Sequence, residues 1–263
     1  VTHWASPDFL PRSGRGILFL DEINMAPPSM QGVAQQLILD RKVGSYEVPE
    51  GWFIWAAGNK KEDRGSVFDM PAPLANRFIH LEAEVSAESF RQYAFHAGLS
   101  HRLIGFLAFR PDLLHKMLIN EMAWPSPRSW EMADVLSRAG LDIEPAVGVS
   151  ASAEYQAYLD VTEKIPDIAG IINGSKNPKF PGEVSLKYAT TMSLVGNSNT
   201  ADEGLNALRW LVNQASPEWV QLYATDAFPI FRKKDLMEQI QTQIFKEPKL
   251  TEFLSTYAQL VAG

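Results

Sequence analysis

Asp21 and Glu22 directly follow the apolar run Gly16-Ile17-Leu18-Phe19-Leu20, so two carboxylates stand where a strand gives out into a loop. Open α/β sheets bind their ligands at the carboxyl ends of their strands. An acid placed there can hold Mg²⁺ while its neighbour orients or deprotonates an attacking water. The plain alternative is a pair of solvated acids opening a loop. Asn59 ends the next apolar run, in Ala56-Ala57-Gly58-Asn59. Its carboxamide can hydrogen-bond a phosphate oxygen or a water, although Gly-Asn is also ordinary turn chemistry. Arg77, in Leu74-Ala75-Asn76-Arg77-Phe78, and Arg128, in Trp124-Pro125-Ser126-Pro127-Arg128, complete the set. A guanidinium is always ionised and forked, which suits it to phosphate charge, but a lone arginine also serves as a surface ion pair.

The elements that must position these residues follow from periodicity. The run 16–20 shows no alternation and predicts a strand buried on both faces, as parallel sheets require. A helix capped by Ser29 follows, with Met30, Val33, Ala34, Leu37 and Ile38 on one face. A hairpin arm over 43–49 leads into a second buried strand at 52–57. The segment 60–65 reads as a loop, 73–77 as a helical turn, and Phe78-Ile79-His80-Leu81 as a third short strand. Helical patterns then dominate: one starting at Ser86 and ending at Gly98, and others near 101–109, 112–119, 128–139, 151–165, 184–195, 201–215, 217–225, 232–246 and 249–261. A Gly/Pro/Asn-rich stretch at 166–182 reads as a joint. The chain thus divides into an α/β domain at 1–85 and a helical domain at 86–263.

Composition narrows the function classes. The 263 residues are 46% hydrophobic and 21% charged, which describes a folded globular chain. A formal charge of −7 has the wrong sign for binding phosphate backbones, so nucleic acid is not expected as a partner. With no cysteine there is no disulfide, thiolate metal site or catalytic thiol. That usage fits a reducing compartment, with cytoplasm as the expected location. No run approaches the roughly 18 apolar residues of a membrane span, and no export signal opens the chain. The histidines, His3, His80, His96, His101 and His115, lack close metal-binding spacing. Trp52 and Trp55 read as core or interface, and Arg232-Lys233-Lys234 as a solvated helix start.

Taken together, Gly16 to Asn24 with the following Pro27-Pro28 and Gln-rich helix resembles the Walker B segment of AAA+ ATPases of the MoxR type, with their CbbQ- and NorQ-like relatives. Gly58-Asn59 is similar to sensor 1, Leu74 to Phe78 to the arginine-finger element, and Pro125 to Arg128 to sensor 2. The four motifs occur in the family's order over residues 16 to 128, about half the chain. The resemblance implies a partial AAA+ parallel-sheet core followed by an all-helical lid. It implies ATP and Mg²⁺ as cofactors, with Asp21 organising the metal, Glu22 activating the hydrolytic water and Asn59 positioning it. Arg77 would reach the nucleotide of a neighbouring subunit, and Arg128 would report nucleotide state from the lid. The implied assembly is a homo-oligomeric ring, a hexamer by family habit. It would remodel or mature a client protein complex, alongside a von Willebrand factor A domain protein.

The sequence departs from that pattern in one respect, for it contains no G-x-x-x-x-G-K-[ST] loop, whose amides and Lys cradle phosphates. Since the chain opens at Val1 rather than Met and runs almost at once into a strand, the expectation is that this segment lies upstream and that the chain alone is inactive. The alternative is a non-catalytic AAA+-like adaptor that binds no nucleotide. A Mg²⁺ nuclease built on Asp21 and Glu22 is a third possibility and would need further converging acids.

Overall fold

The computed structural model describes residues 7–60, 67–118, 121–253 and 255. His3, most of the 60–65 loop and most of the segment after 253 lie outside them. The chain divides into two units, Val1–Ala83 and Glu84–Gly263.

In the first unit, β1 (Gly16–Leu20) pairs in parallel with β4 (Trp52–Ala56), in register from Gly16 opposite Trp52 to Leu20 opposite Ala56. Between them run α1 (Pro28–Asp40) and an antiparallel hairpin of β2 (Lys42–Val43) and β3 (Tyr46–Glu47). α1 starts one residue before the expected cap: Pro27 holds the N-cap position and Pro28 the first turn, where a missing N–H costs nothing. It stops at Arg41, whose left-handed backbone (φ 55°) turns the chain. The Arg41 guanidinium then donates to the carbonyls of Pro49 (2.9 Å) and Trp52 (2.6 Å), fastening the hairpin to β4. Leu18, Tyr46 and Val48 form the buried centre of this unit, with Leu37 of α1 and Ile54 of β4 packed against them.

Two expectations for the sheet are corrected. β1 and β4 are covered on one face only, since Ile17, Phe19, Phe53 and Trp55 on the other are between 47% and 71% exposed. Their register sets Ile17 beside Phe53 and Phe19 beside Trp55. The sequence carries apolar residues for both faces, but the described residues of this unit supply one covering layer. Nor does Phe78–Leu81 form a strand. After α2 (Ala72–Ala75) the chain runs extended without a ladder partner, leaving Ile79 and Leu81 about nine-tenths exposed. A strand is stable only with a neighbour that takes its backbone hydrogen bonds, and the described sheet offers none beside this segment.

The second unit is helical. Its elements are α3 (Ala87–Ala97), α4 (His101–Phe109), α5 (Pro127–Arg138), α6 (Glu144–Val147), α7 (Val149–Thr162), α8 (Ile168–Ile172), α9 (Val184–Asn197), α10 (Ala201–Gln214), α11 (Pro217–Lys233) and α12 (Met237–Ile244). Ser86 caps α3 by accepting from the Ser89 amide, and Gly98 ends it at φ 72°, as the sequence predicts. One core cluster gathers Phe106, Trp130, Tyr155 and Tyr158; a second gathers Trp210, Leu211, Tyr223 and Phe231. α9 serves both, with Ala189 and Met192 in the first and Leu194 and Val195 in the second.

Three helical expectations change. In place of a helix at 112–119, the described residues to 118 hold a single 3-10 turn at Pro111–Leu113, and the Leu113 carbonyl accepts from the indole of fully buried Trp130 (2.7 Å). The predicted break at 225–232 is absent: α11 passes through Pro229, giving up one hydrogen bond, while Phe228 and Phe231 stay buried. The stretch 166–182 is not a joint. It holds α8, and Trp210 and Asn206 of α10 donate to the Pro178 and Ile172 carbonyls.

Two buried charges mark this unit. Asp226 of α11, with a fully buried side chain, accepts from the Arg91 guanidinium of α3 at 3.0 and 3.4 Å. Burial raises its pKa, with Arg91 opposing. His101, at the start of α4, is held below the ordinary imidazole range first by burial and then by Arg138, with Asp134 opposing. No described helix is long and apolar enough to cross a membrane.

Candidate functional site

The parallel register brings the carboxyl ends of β1 and β4 level, since Leu20 lies opposite Ala56. Asp21-Glu22 and Gly58-Asn59 therefore leave the sheet on the same side. Asp21 is exposed, and one of its carboxylate oxygens accepts from the Glu22 amide (3.0 Å). Glu22 is also exposed and adopts a left-handed backbone, φ 52° and ψ 38°. That region costs an L-residue roughly 1–2 kcal/mol, so strain is concentrated at the second acid. Ile23–Met25 follow as one 3-10 turn.

Hydrogen bonds stitch the two strand ends together. The Ala57 amide donates to the Leu20 carbonyl (3.0 Å), and the Ile23 amide donates back to the Ala57 carbonyl (2.9 Å). The Asn24 side chain continues the seam, its Nδ2 donating to the Asn59 carbonyl at 2.7 Å. Gly58 sits against that amide, where an added Cβ would lie 2.6 Å from Asn24 Oδ1. Behind the turn, fully buried Gln31 donates to the Ala26 carbonyl (2.8 Å), tying the loop to α1.

A crevice of about 720 Å³ opens beside this seam. Asn24, Ala57 and Asn59 line one part of it, and the extended segment 78–83 lines another. Lys60 and Glu82, both lining residues, form an ion pair. The crevice lies within the size range of small-molecule sites. Asp21 and Glu22 sit at the head of the turn whose next two residues, Ile23 and Asn24, line it, but they are not themselves lining residues.

The remaining sequence candidates stand elsewhere. Arg77 is exposed on the turn after α2, in the same unit, and makes no ion pair with a described residue. Arg128 belongs to the helical unit. It is exposed at the second position of α5, after a capping box in which Ser126 and Ser129 each bond the other's amide. The buried Trp130, edge-on to Phe106 at 5.5 Å, anchors that helix start. The structure thus assembles Asp21, Glu22 and Asn59 at one sheet end, while Arg77 and Arg128 are each held on a short, well-defined turn.

Three supporting residues, Asn24, Gly58 and Gln31, lie within the quoted motifs, which assign them no role. The available signal is modest, an amide two residues beyond the acid pair and a glycine just before Asn59.

The donor set can be set against the implied cofactors. Mg²⁺ commonly takes one or two carboxylates and completes its shell with water and substrate phosphates. Asp21 fits that role with its second oxygen free of protein donors. Among the described residues no group of three or more His, Asp or Glu side chains is placed to hold a metal. For ATP the fit is partial, because Asn59 and Lys60 offer donors at the crevice but the sequence contains no phosphate-cradling loop. Comparisons with protein-family models, curated proteins and solved structures return no match.

Proposed function

We propose that the first unit is the hydrolytic part of a Mg²⁺-dependent ATPase of the MoxR-like AAA+ class, working as a homo-oligomeric ring that remodels or matures a client protein complex. The observation that carries this reading is the seam at the sheet end, which sets an acid pair and an amide side by side at the carboxyl ends of two parallel strands. In this reading Asp21 holds the metal, Glu22 takes the proton of the attacking water, and Asn59 orients that water. Arg77, exposed and without an ion pair among the described residues, acts on a neighbouring subunit's nucleotide, and Arg128 reports from the helical unit. Among the described residues the sheet is covered on one face and segment 78–83 has no ladder partner, which leaves room for a further strand and covering helix such as would carry a phosphate loop.

A second reading is favoured by one specific observation. Without a G-x-x-x-x-G-K-[ST] loop in the 263 residues, an AAA+-like adaptor that binds no nucleotide needs no additional part. Nucleotide binding and Mg²⁺-dependent ATP hydrolysis separate the two, compared among wild type, Glu22→Gln and Arg77→Ala in the full-length gene product at ring-forming concentration. The ATPase reading expects Glu22→Gln to keep nucleotide binding while turnover falls by about 10²–10⁴, the range for loss of a positioned general base. Arg77→Ala should lose turnover only where rings form. A wild-type protein that neither binds nor hydrolyses ATP gives the function to the adaptor.

A further inference from the structure

The Asn24 side chain occupies the one place from which the acid-bearing turn can reach the Asn59 main chain. Its Nδ2 donates to the Asn59 carbonyl at 2.7 Å, while the Asn24 main-chain carbonyl accepts from the Phe68 amide at 2.7 Å. The amide orientation is dictated by chemistry: a flipped carboxamide would set two carbonyl oxygens 2.7 Å apart. Its Oδ1 is buried without a hydrogen-bond partner. An acceptor left unpaired in this way carries a cost, so what the side chain contributes comes through its donor. Between the two asparagines lies Gly58, with space for no side chain. Asn59 is therefore fixed at two points, through its own carbonyl by Asn24 and through Ala57 by Leu20 and Ile23. Its carboxamide is exposed and bonds no described residue.

We propose that Asn24 is a positioning residue that fixes the Asn59 main chain, from which the carboxamide projects, and makes the Glu22 turn and the end of β4 move as one body. The geometry stands by itself; its use in catalysis rests on the ATPase reading above. A displacement of Asn59 by a ligand in the crevice is then passed through two hydrogen-bonded residues to the strained Glu22 backbone. Leucine at position 24 would fill the space but could not donate, and a carboxylate there would face the Asn59 carbonyl with like partial charge.

The test is carbonyl and amide NMR on the full labelled chain without nucleotide, comparing wild type, Asn24→Asp and Asn24→Ala. At neutral pH both variants should move the Asn59 carbonyl carbon upfield, the direction for a lost hydrogen bond, and shift the Gly58 and Lys60 amides. On acidification the Asn24→Asp spectrum should return toward wild type, because a protonated carboxyl can donate its O–H to the same carbonyl. The Asn24→Ala spectrum should stay displaced at every pH. An Asn59 carbonyl unmoved in Asn24→Ala, or an Asn24→Asp spectrum that titrates without recovering, overturns the proposal. Because no nucleotide is present, failure of the ATPase reading in its own assay leaves this result intact and removes only the catalytic use of the link.

Discussion

Replacing Gly58 by alanine should be costly for a reason that a second substitution removes. An added Cβ would lie 2.6 Å from Asn24 Oδ1, 2.8 Å from Cγ and 3.2 Å from Nδ2, so the whole carboxamide must rotate away. Rotation breaks the bond to the Asn59 carbonyl, worth about 1 kcal/mol net, and drives the side chain off its rotamer for about another 1 kcal/mol. Gly58 is not among the positive-φ glycines, so alanine adds no backbone strain there. Gly58→Ala alone should therefore destabilise the seam by about 2 kcal/mol, or somewhat less if Asn24 Oδ1 gains water as it swings out. Asn24→Ala alone loses the same bond but also removes a buried unpartnered acceptor, and should cost less than about 1 kcal/mol. In the Asn24→Ala background the clash has no target, and Gly58→Ala should cost about 0.5 kcal/mol or less, a coupling of about 1.5 kcal/mol. Native-state exchange of the Ile23 and Ala57 amides reads this directly, since their bonds join the two strand ends. Equal costs for Gly58→Ala in the two backgrounds would refute the reasoning.

Three further outcomes follow from features described above. Glu22→Gly should stabilise the first unit by about 1 kcal/mol, measured by urea unfolding, because it relieves a left-handed glutamate while removing the proposed base. Arg91→Met should destabilise the helical unit by about 3–5 kcal/mol at neutral pH by stranding buried Asp226, whereas Arg91→Met with Asp226→Leu should return close to wild type. Asp226 has a raised folded pKa, so its favourable contribution belongs to low pH and is lost as pH rises through that value; the Arg91→Met penalty should shrink on acidification. His101 shows the opposite sign. With its folded pKa lowered by burial, it contributes stability above the ordinary imidazole pKa that is lost as pH falls toward the folded value, and His101→Gln should flatten thermal stability between about pH 7 and pH 5.

Strong local signals carried much of the architecture. The unbroken runs ending at Leu20 and Ala57 marked both strands, and Ser86 and Gly98 marked the ends of α3 through capping chemistry that depends on neighbours in sequence. Features decided by distant partners were hidden. Phe78–Leu81 has the composition of a strand, but whether it forms one depends on a neighbour. Pro229 signals a break that the buried rings of Phe228 and Phe231 override. At the site, the acids and Asn59 were legible as residues following apolar runs. Asn24 and Gly58 acquire meaning only once the register sets Leu20 opposite Ala56, because their contact crosses 34 positions of sequence.

The one-sided sheet also governs how the protein behaves in concentrated solution. Trp52 to Ala57 is a six-residue segment with aromatic and β-branched side chains, no charge and no proline, the composition of a cross-β-forming stretch. Among the described residues β4 has a ladder partner on one side only, and Phe53 and Trp55 face outward. An edge of this composition is the kind on which copies of a chain can stack edge to edge. A single lysine introduced at Phe53 would act as a gatekeeper on that edge.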